Sequence, residues 1–137
     1  MDRRSALASL FALMAAPFSR AIAAPDARSQ TFVDKALEMK RLAESMGDQP
    51  FGAVVVRGDE IVGLGPSRVV VKNDWSAHAE REAIRDAQLR LGRDLSGCVM
   101  YSTSRPCANC EHVAADAKIA RMYFGAQATD AGVPRLH

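Results

Sequence analysis

The sequence predicts an α/β domain in which a mixed sheet is covered by helices, and three observations carry that expectation. Its 137 residues are 48% hydrophobic, enough for one globular core and too few for a second. Short β-branched runs alternate with segments whose apolar residues step at helical spacing. The first two runs are joined by Arg57-Gly58-Asp59-Glu60, a hairpin signal, so the sheet opens antiparallel before the alternation begins. No internal repeat or low-complexity tract interrupts this pattern.

From Thr31 to Met46, Phe32, Ala36, Met39, Ala43 and Met46 recur on one face, as in a helix that covers a sheet. Phe51 to Val56 and Ile61 to Leu64 are the paired strands. Asn73 to Ser76 is a polar loop feeding a helix from Ala77 to Leu91, with Ala79, Ala83, Ile84, Ala87 and Leu91 inward and Gly92 as its stop. Cys98 to Thr103 reads as a strand. Pro106 to Lys118 reads as a helix with Val113, Ala114 and Ala117 inward, and Ala120 to Phe124 as a further strand. Strand, helix, strand, helix, strand implies right-handed crossovers and parallel neighbours. It also puts both later helix starts at one end of the sheet, where open α/β sheets bind ligands. Ala126 to His137 is long enough only for a turn or a brief helix.

The beginning of the chain has a different character. Asp2-Arg3-Arg4-Ser5 precedes an alanine- and leucine-rich run from Ala6 to Phe18, and Ala21-Ile22-Ala23 has the small-x-small form of a signal peptidase site. Residues 1–23 therefore read as a cleaved export signal, with Arg3-Arg4 pointing to the twin-arginine route, and residues 24–137 as one domain in the periplasm. The rival readings are an amphipathic first helix or a membrane anchor, but the run is too short and alanine-rich for a span, so no stable membrane insertion is expected after cleavage. Cleavage removes Arg3, Arg4, Arg20 and Asp2 from 18 basic and 16 acidic residues, leaving 15 of each. A formally neutral domain lacks the basic excess that gives proteins their grip on phosphate backbones. Arg81, Arg85, Arg90 and Arg93 read as a solvated helix face.

The chemistry concentrates in two short stretches, His78-Ala79-Glu80 and Pro106-Cys107-Ala108-Asn109-Cys110. A catalytic zinc takes three protein ligands and keeps a fourth position for water, and His78, Cys107 and Cys110 supply such a set. If Pro106 opens a helix at its first position, the two cysteines stand three apart on one face. The positive helix end there favours their thiolates. His78 and Glu80 diverge by about 200° on a regular helix, so Glu80 lies beside the metal as a general acid-base group. Each piece alone has a plainer reading: a disulfide or redox pair for the cysteines, a polar surface residue for the histidine. Cys98, the odd third cysteine, sits in an apolar run and is assigned to the core. His112 reads as a helix residue outside the ligand set.

These motifs, H-x-E followed by P-C-x-x-C, form the zinc deaminase signature, and the chain resembles the cytidine deaminase superfamily. Pro50 to Val56, Asn73-Asp74 ahead of Ala77 to Glu80, and Met100 to Thr103 ahead of the cysteines are similar to guanine deaminases and tRNA adenosine deaminases, over about Thr31 to Gly132. The resemblance implies a three-layer α/β/α cytidine deaminase-like fold with a mixed central sheet. It also implies Zn²⁺ as cofactor, Glu80 as proton shuttle, and hydrolytic loss of ammonia from a ring carbon of a nucleobase, nucleoside or related small amino-heterocycle. It further implies assembly as a homodimer or larger, backbone polarisation near Pro106 and Cys107, and Phe51 and Asn73 at the pocket.

The chain departs from the relatives at named positions. Their asparagine eleven residues before the zinc histidine is Ser67 here, which offers a shorter, single donor to a base edge. Their common glutamate before the Pro-Cys pair is Arg105, and a frequent proline is Trp75, read either as a stacking surface or as a loop anchor. The short tail removes part of the customary pocket wall. Two alternatives stand beside the small-molecule reading: a tRNA or single-strand adenosine deaminase, and a deaminase-like zinc module without turnover.

Overall fold

The computed structural model describes residues 25–137; the expected export signal lies outside the described residues. Five strands form one sheet in the order β2-β1-β3-β4-β5. In chain order the elements are α1 (Ala27–Ser45), β1 (Gly52–Arg57), β2 (Glu60–Pro66), α2 (Ala79–Leu91), β3 (Val99–Ser102), α3 (Ala108–Asp116), β4 (Arg121–Phe124) and β5 (Thr129–Gly132). Among the described residues, no helix is long and apolar enough to cross a membrane.

Successive residues of β1 point to opposite faces, and this one strand divides the core in two. Val54 and Val56 pack with Phe32, Val33 and Met39 of α1 and with Tyr101. Ala53 and Val55 pack with Ala79, Ala83, Ile84 and Ala87 of α2, Ala114 of α3, Met100 and Met122. The result is three layers, one helix against two across a mixed sheet. On the α1 face, Tyr101 stacks on Tyr123 with ring centroids 5.0 Å apart and lies 5.3 Å from Phe32. Helix α1 begins earlier than its apolar stepping suggests because Asp26 caps it, its carboxylate accepting from the Ser29 amide at 2.8 Å.

Glycines let the helices rest on bare strand backbone. A methyl group on Gly65 would sit 2.1 Å from the Ala79 carbonyl oxygen, and one on Gly63 would sit 2.3 Å from that of Ala83. Small residues on α2 meet glycines on β2, so the helix lies closer than ordinary side chains permit. Gly52 does the same against the Ala36 carbonyl of α1, at 2.2 Å.

The expected parallel neighbours form only in part. β3 and β4 pair in parallel, joined by α3, but β1 lies between β2 and β3 and pairs with each of them antiparallel. The α2 crossover therefore passes over a strand already in place, because the initial hairpin takes the position beside β3. The tail is a second correction. It forms β5, antiparallel to β4, where a turn or brief helix was expected. Arg121 Nε donates to the Asp130 carboxylate across this pair at 2.9 Å.

Two buried carboxylates fasten the loop between β2 and α2. Asp48 accepts from the Ser67 hydroxyl at 2.9 Å and from the amides of Val70, Val71 and Gln49 at 2.8–2.9 Å. Burial pushes the Asp48 carboxyl up, but the donors Val71, Gln49, Ser67 and Val70 outweigh it and hold the group below its ordinary value. Glu82 on α2 is 7% exposed and is met by Lys72 at 2.9 Å, Arg85 at 3.3 Å and Arg68 at 3.9 Å. A buried charge with three cations around it ties the loop to the helix that follows.

Candidate active site

Both ligand-bearing segments are helix starts, α2 reached from β2 through residues 67–78 and α3 from β3 through residues 103–107. His78 is the N-cap of α2 with extended backbone (φ −61°, ψ 154°), so the helix starts at Ala79, two residues later than the expected start at Ala77. Cys107 is the N-cap of α3 (φ −74°, ψ 166°). Pro106 thus stands before the cap and not at the first helical position, so the cysteines occupy the cap and third helical positions. The Cys107 sulfur accepts from the Cys110 amide at 3.4 Å, as an N-cap side chain does. The extended backbone at His78, more than helical divergence from Glu80, aims the imidazole across the gap between the helices.

The three expected ligands converge. His78 Nδ1 lies 3.4 Å from Cys110 Sγ and 3.8 Å from Cys107 Sγ, and all three ligand atoms lie within 4.8 Å of one another. Zinc with N at about 2.0 Å and S at about 2.3 Å in tetrahedral array separates its ligands by roughly 3.5–3.8 Å. The donor set fits that ion. Cys110 is buried and Cys107 exposed; burial, followed by the nearby Glu80 carboxylate, pushes the Cys110 thiol upward, so this sulfur becomes a thiolate only against a strong local positive charge.

Glu80 is 5% exposed and stands outside the ligand cluster. Burial raises its carboxyl above the ordinary value, opposed by its own amide, His78, Cys110 and Ser102. Ser102 Oγ, itself buried, faces that carboxyl without a hydrogen bond of normal length. His78, Ala79, Glu80 and Cys107 border a cavity of about 190 Å³ whose other walls are Gln49, Phe51, Ser104 and Arg105.

The other expected pocket residues are placed differently. Phe51 lines the cavity. Ser67 is fully buried, spends its hydroxyl on Asp48 and does not reach the cavity. Asn73, in the left-handed region at φ 49°, and Trp75, 81% exposed, border a neighbouring hollow that also touches Gln49. Trp75 therefore does not anchor its loop. Pro106 borders a third hollow with Arg105. His112 lies away from the ligands and accepts from the His137 amide at 3.3 Å. Cys98 is 1% exposed in the core. Gln49, Ser104 and Asp48 carried no sequence signal, since their roles come from loops that only the closed fold brings together.

Comparison with known proteins agrees with this geometry. Residues 26–126 match the cytidine and deoxycytidylate deaminase zinc-binding region. The chain is 34% identical over 104 residues to a tRNA-specific adenosine deaminase of Buchnera aphidicola, covering 75% of this chain and 69% of that one. It is 35% identical over 104 residues to guanine deaminase of Bacillus subtilis, covering 74% and 67%. A solved tRNA:A34 deaminase superposes with a TM-score of 0.69 at 34% identity, over 72% of this chain and 76% of that one. The protein belongs to the zinc-binding cytidine and deoxycytidylate deaminase family. It is a zinc-dependent hydrolase acting on C–N bonds, with the cytidine deaminase-like fold.

Proposed function

We propose that the protein hydrolytically deaminates a nucleobase, nucleoside or related small amino-heterocycle and releases ammonia. The observation that carries this reading is the buried Glu80 carboxyl sharing one small cavity with His78 and Cys107. His78, Cys107 and Cys110 would hold the zinc, and the bound ion would supply the Lewis acidity that makes water nucleophilic near neutral pH. Glu80 would take a proton from the attacking water and pass it to the departing amine. Phe51 offers an apolar wall for a ring, and Gln49 and Ser104 offer polar groups for its edge. At about 190 Å³ the cavity is below the ~300–1,000 Å³ of sites for drug-sized ligands, which suits a single heterocycle.

An ammonia-release screen of the mature protein over bases, nucleosides, nucleotides and a tRNA anticodon stem-loop tests this reading. Release from a small heterocycle is expected. Release from the RNA alone would replace it with the polynucleotide reading, which the likeness to tRNA deaminases favours. Arg85 paired with Glu82 and Arg90 with Asp86, on a formally neutral domain, oppose that second reading. Silence on every substrate would leave a zinc module without turnover. Export to the periplasm and assembly as a homodimer or larger complete the proposal. Mass spectrometry of the cell envelope should find a chain starting near Ala24, and light scattering should find more than one chain per particle.

A further inference from the structure

The catalytic cavity shares a wall with a second hollow of about 200 Å³, bounded by Gln49, Val69, Val70, Asn73, Asp74 and Trp75. Gln49 belongs to both. Its amide donates to Asp48 at 2.8 Å and its carbonyl accepts from the Phe51 amide at 2.8 Å, which fixes its backbone. Among the described residues its carboxamide has no hydrogen-bond partner, so a donor and an acceptor stand ready at the divide. Trp75, the one tryptophan of the chain, is 81% exposed, and Val70 beside it 58%. The loop that carries them is moored from below. The Asp48 carboxylate accepts from the Val70 and Val71 amides, the Asp74 amide donates to the Val69 carbonyl at 3.0 Å, and the Asp74 carboxylate accepts from the Ser76 amide and hydroxyl at 2.8 and 2.7 Å. A loop held in this way does not fold its indole down onto apolar neighbours, so the ring stays open to a ligand. Among the described residues no cation borders the hollow, and its one carboxylate is engaged by Ser76. Such a lining disfavours a phosphate and suits an uncharged, flat, apolar group that stacks on indole.

Resting on the deaminase reading above, we propose that the substrate is an amino-heterocycle bearing an uncharged aromatic substituent, its amino-bearing ring in the catalytic cavity and its substituent in the neighbouring hollow against Trp75 and Val70. The amino-bearing carbon has to face His78, Cys107 and Glu80 for chemistry, so a group on the far side of the ring points away from them. A bare base leaves the hollow unused, and a phosphate tail would bring its charge to Asp74. Trp75 is then the residue that selects for the apolar tail, and Gln49 the group that meets the substrate where ring and tail join.

Purified zinc-loaded protein is assayed with three tails on one ring, 9-methylguanine, 9-benzylguanine and guanosine, and with the same series built on adenine and on cytosine. The benzyl compound of at least one series should exceed the other two in kcat/KM by roughly five- to fiftyfold, the scale of one aromatic contact with its apolar burial. Added salt should leave that preference unchanged, since no charge carries it. Trp75→Ala should bring the ratio close to one, mainly through KM, and Trp75→Phe should keep most of it. Because Trp75 is the chain's one tryptophan, its emission reads occupancy without turnover: the benzyl compound should shift or quench it and the methyl compound should not. Ammonia from methyl and ribosyl compounds as efficiently as from benzyl ones, with the emission unchanged, would overturn this inference and leave the proposed function standing. An emission change with benzyl compounds and no ammonia from any compound would support the aromatic site and overturn the proposed function. A ratio unmoved by Trp75→Ala would overturn the assignment. So would a Trp75→Ala protein of half the wild-type particle mass, which would give the indole to an interface between copies.

Discussion

Glu80 and Ser67 show how differently two polar residues of similar burial are employed. Glu80 opens onto the catalytic cavity. Its replacement by Gln keeps shape and removes the proposed proton carrier, so ammonia release should fall by about 10²–10⁴ while metal analysis still finds one zinc per chain. Ser67 is closed off against Asp48. Ser67→Asn adds volume to a full site, which costs about 1–3 kcal/mol, so urea unfolding should show a lower midpoint and the ratio of activities among bases should stay the same. The convergence of His78, Cys107 and Cys110, with Glu80 beside them on one cavity, was legible because the chemistry of a hydrolytic zinc restricts both residue type and spacing. Ser67 was misread as a pocket residue because its partner lies nineteen positions earlier, in a loop with no pattern of its own.

The elements were legible wherever a buried face left a period in the sequence, as in the alanine stripe of α2 and the valine run of β1. Strand β5 left none. Thr129, Asp130, Ala131 and Gly132 lie at the sheet edge, half exposed, and are held by backbone pairing and Arg121 more than by apolar burial. Nor did composition reveal how near α2 lies to β2, which depends on Gly63 and Gly65. Gly65→Ala would thrust a methyl group against the Ala79 carbonyl, backbone that cannot turn aside. Because Ala79 follows His78 directly, the expected result is twofold: thermal destabilisation of about 1–3 kcal/mol and weaker zinc retention against a chelator. Destabilisation with zinc affinity unchanged would show that β2 does not position the ligand helix.

At the scale of the whole molecule, the site exists because α2 and α3 lie on one face of the sheet and start at the same end. Helical period and chain order suggested that placement, whereas the insertion of β1 between β2 and β3 is a choice of pairing that no single segment encodes. Acid stability is also a property of the assembled fold. Asp48 titrates below its ordinary value in the folded chain. Its contribution is therefore fully present above about pH 4, the unfolded carboxylate range, and is lost as pH falls through the lower folded value. Between about pH 5 and pH 3 the urea midpoint of the wild type should fall more steeply than that of Asp48→Asn, which is less stable at neutral pH because an amide cannot receive all four donors.

The loop whose first half is gripped by both Asp48 and Glu82 has a consequence for traffic of the ion. Since this double mooring belongs to the protein's own charges, the expected behaviour is that of a rigid socket, the imidazole keeping its bearing whether or not a cation is aboard. Dialysis against a chelator at neutral pH should lower the melting temperature and leave the far-ultraviolet circular dichroism spectrum intact. One equivalent of zinc should then restore the melting temperature within the mixing time. A lag of minutes, or loss of helical signal on stripping, would mean that the ion builds its own berth.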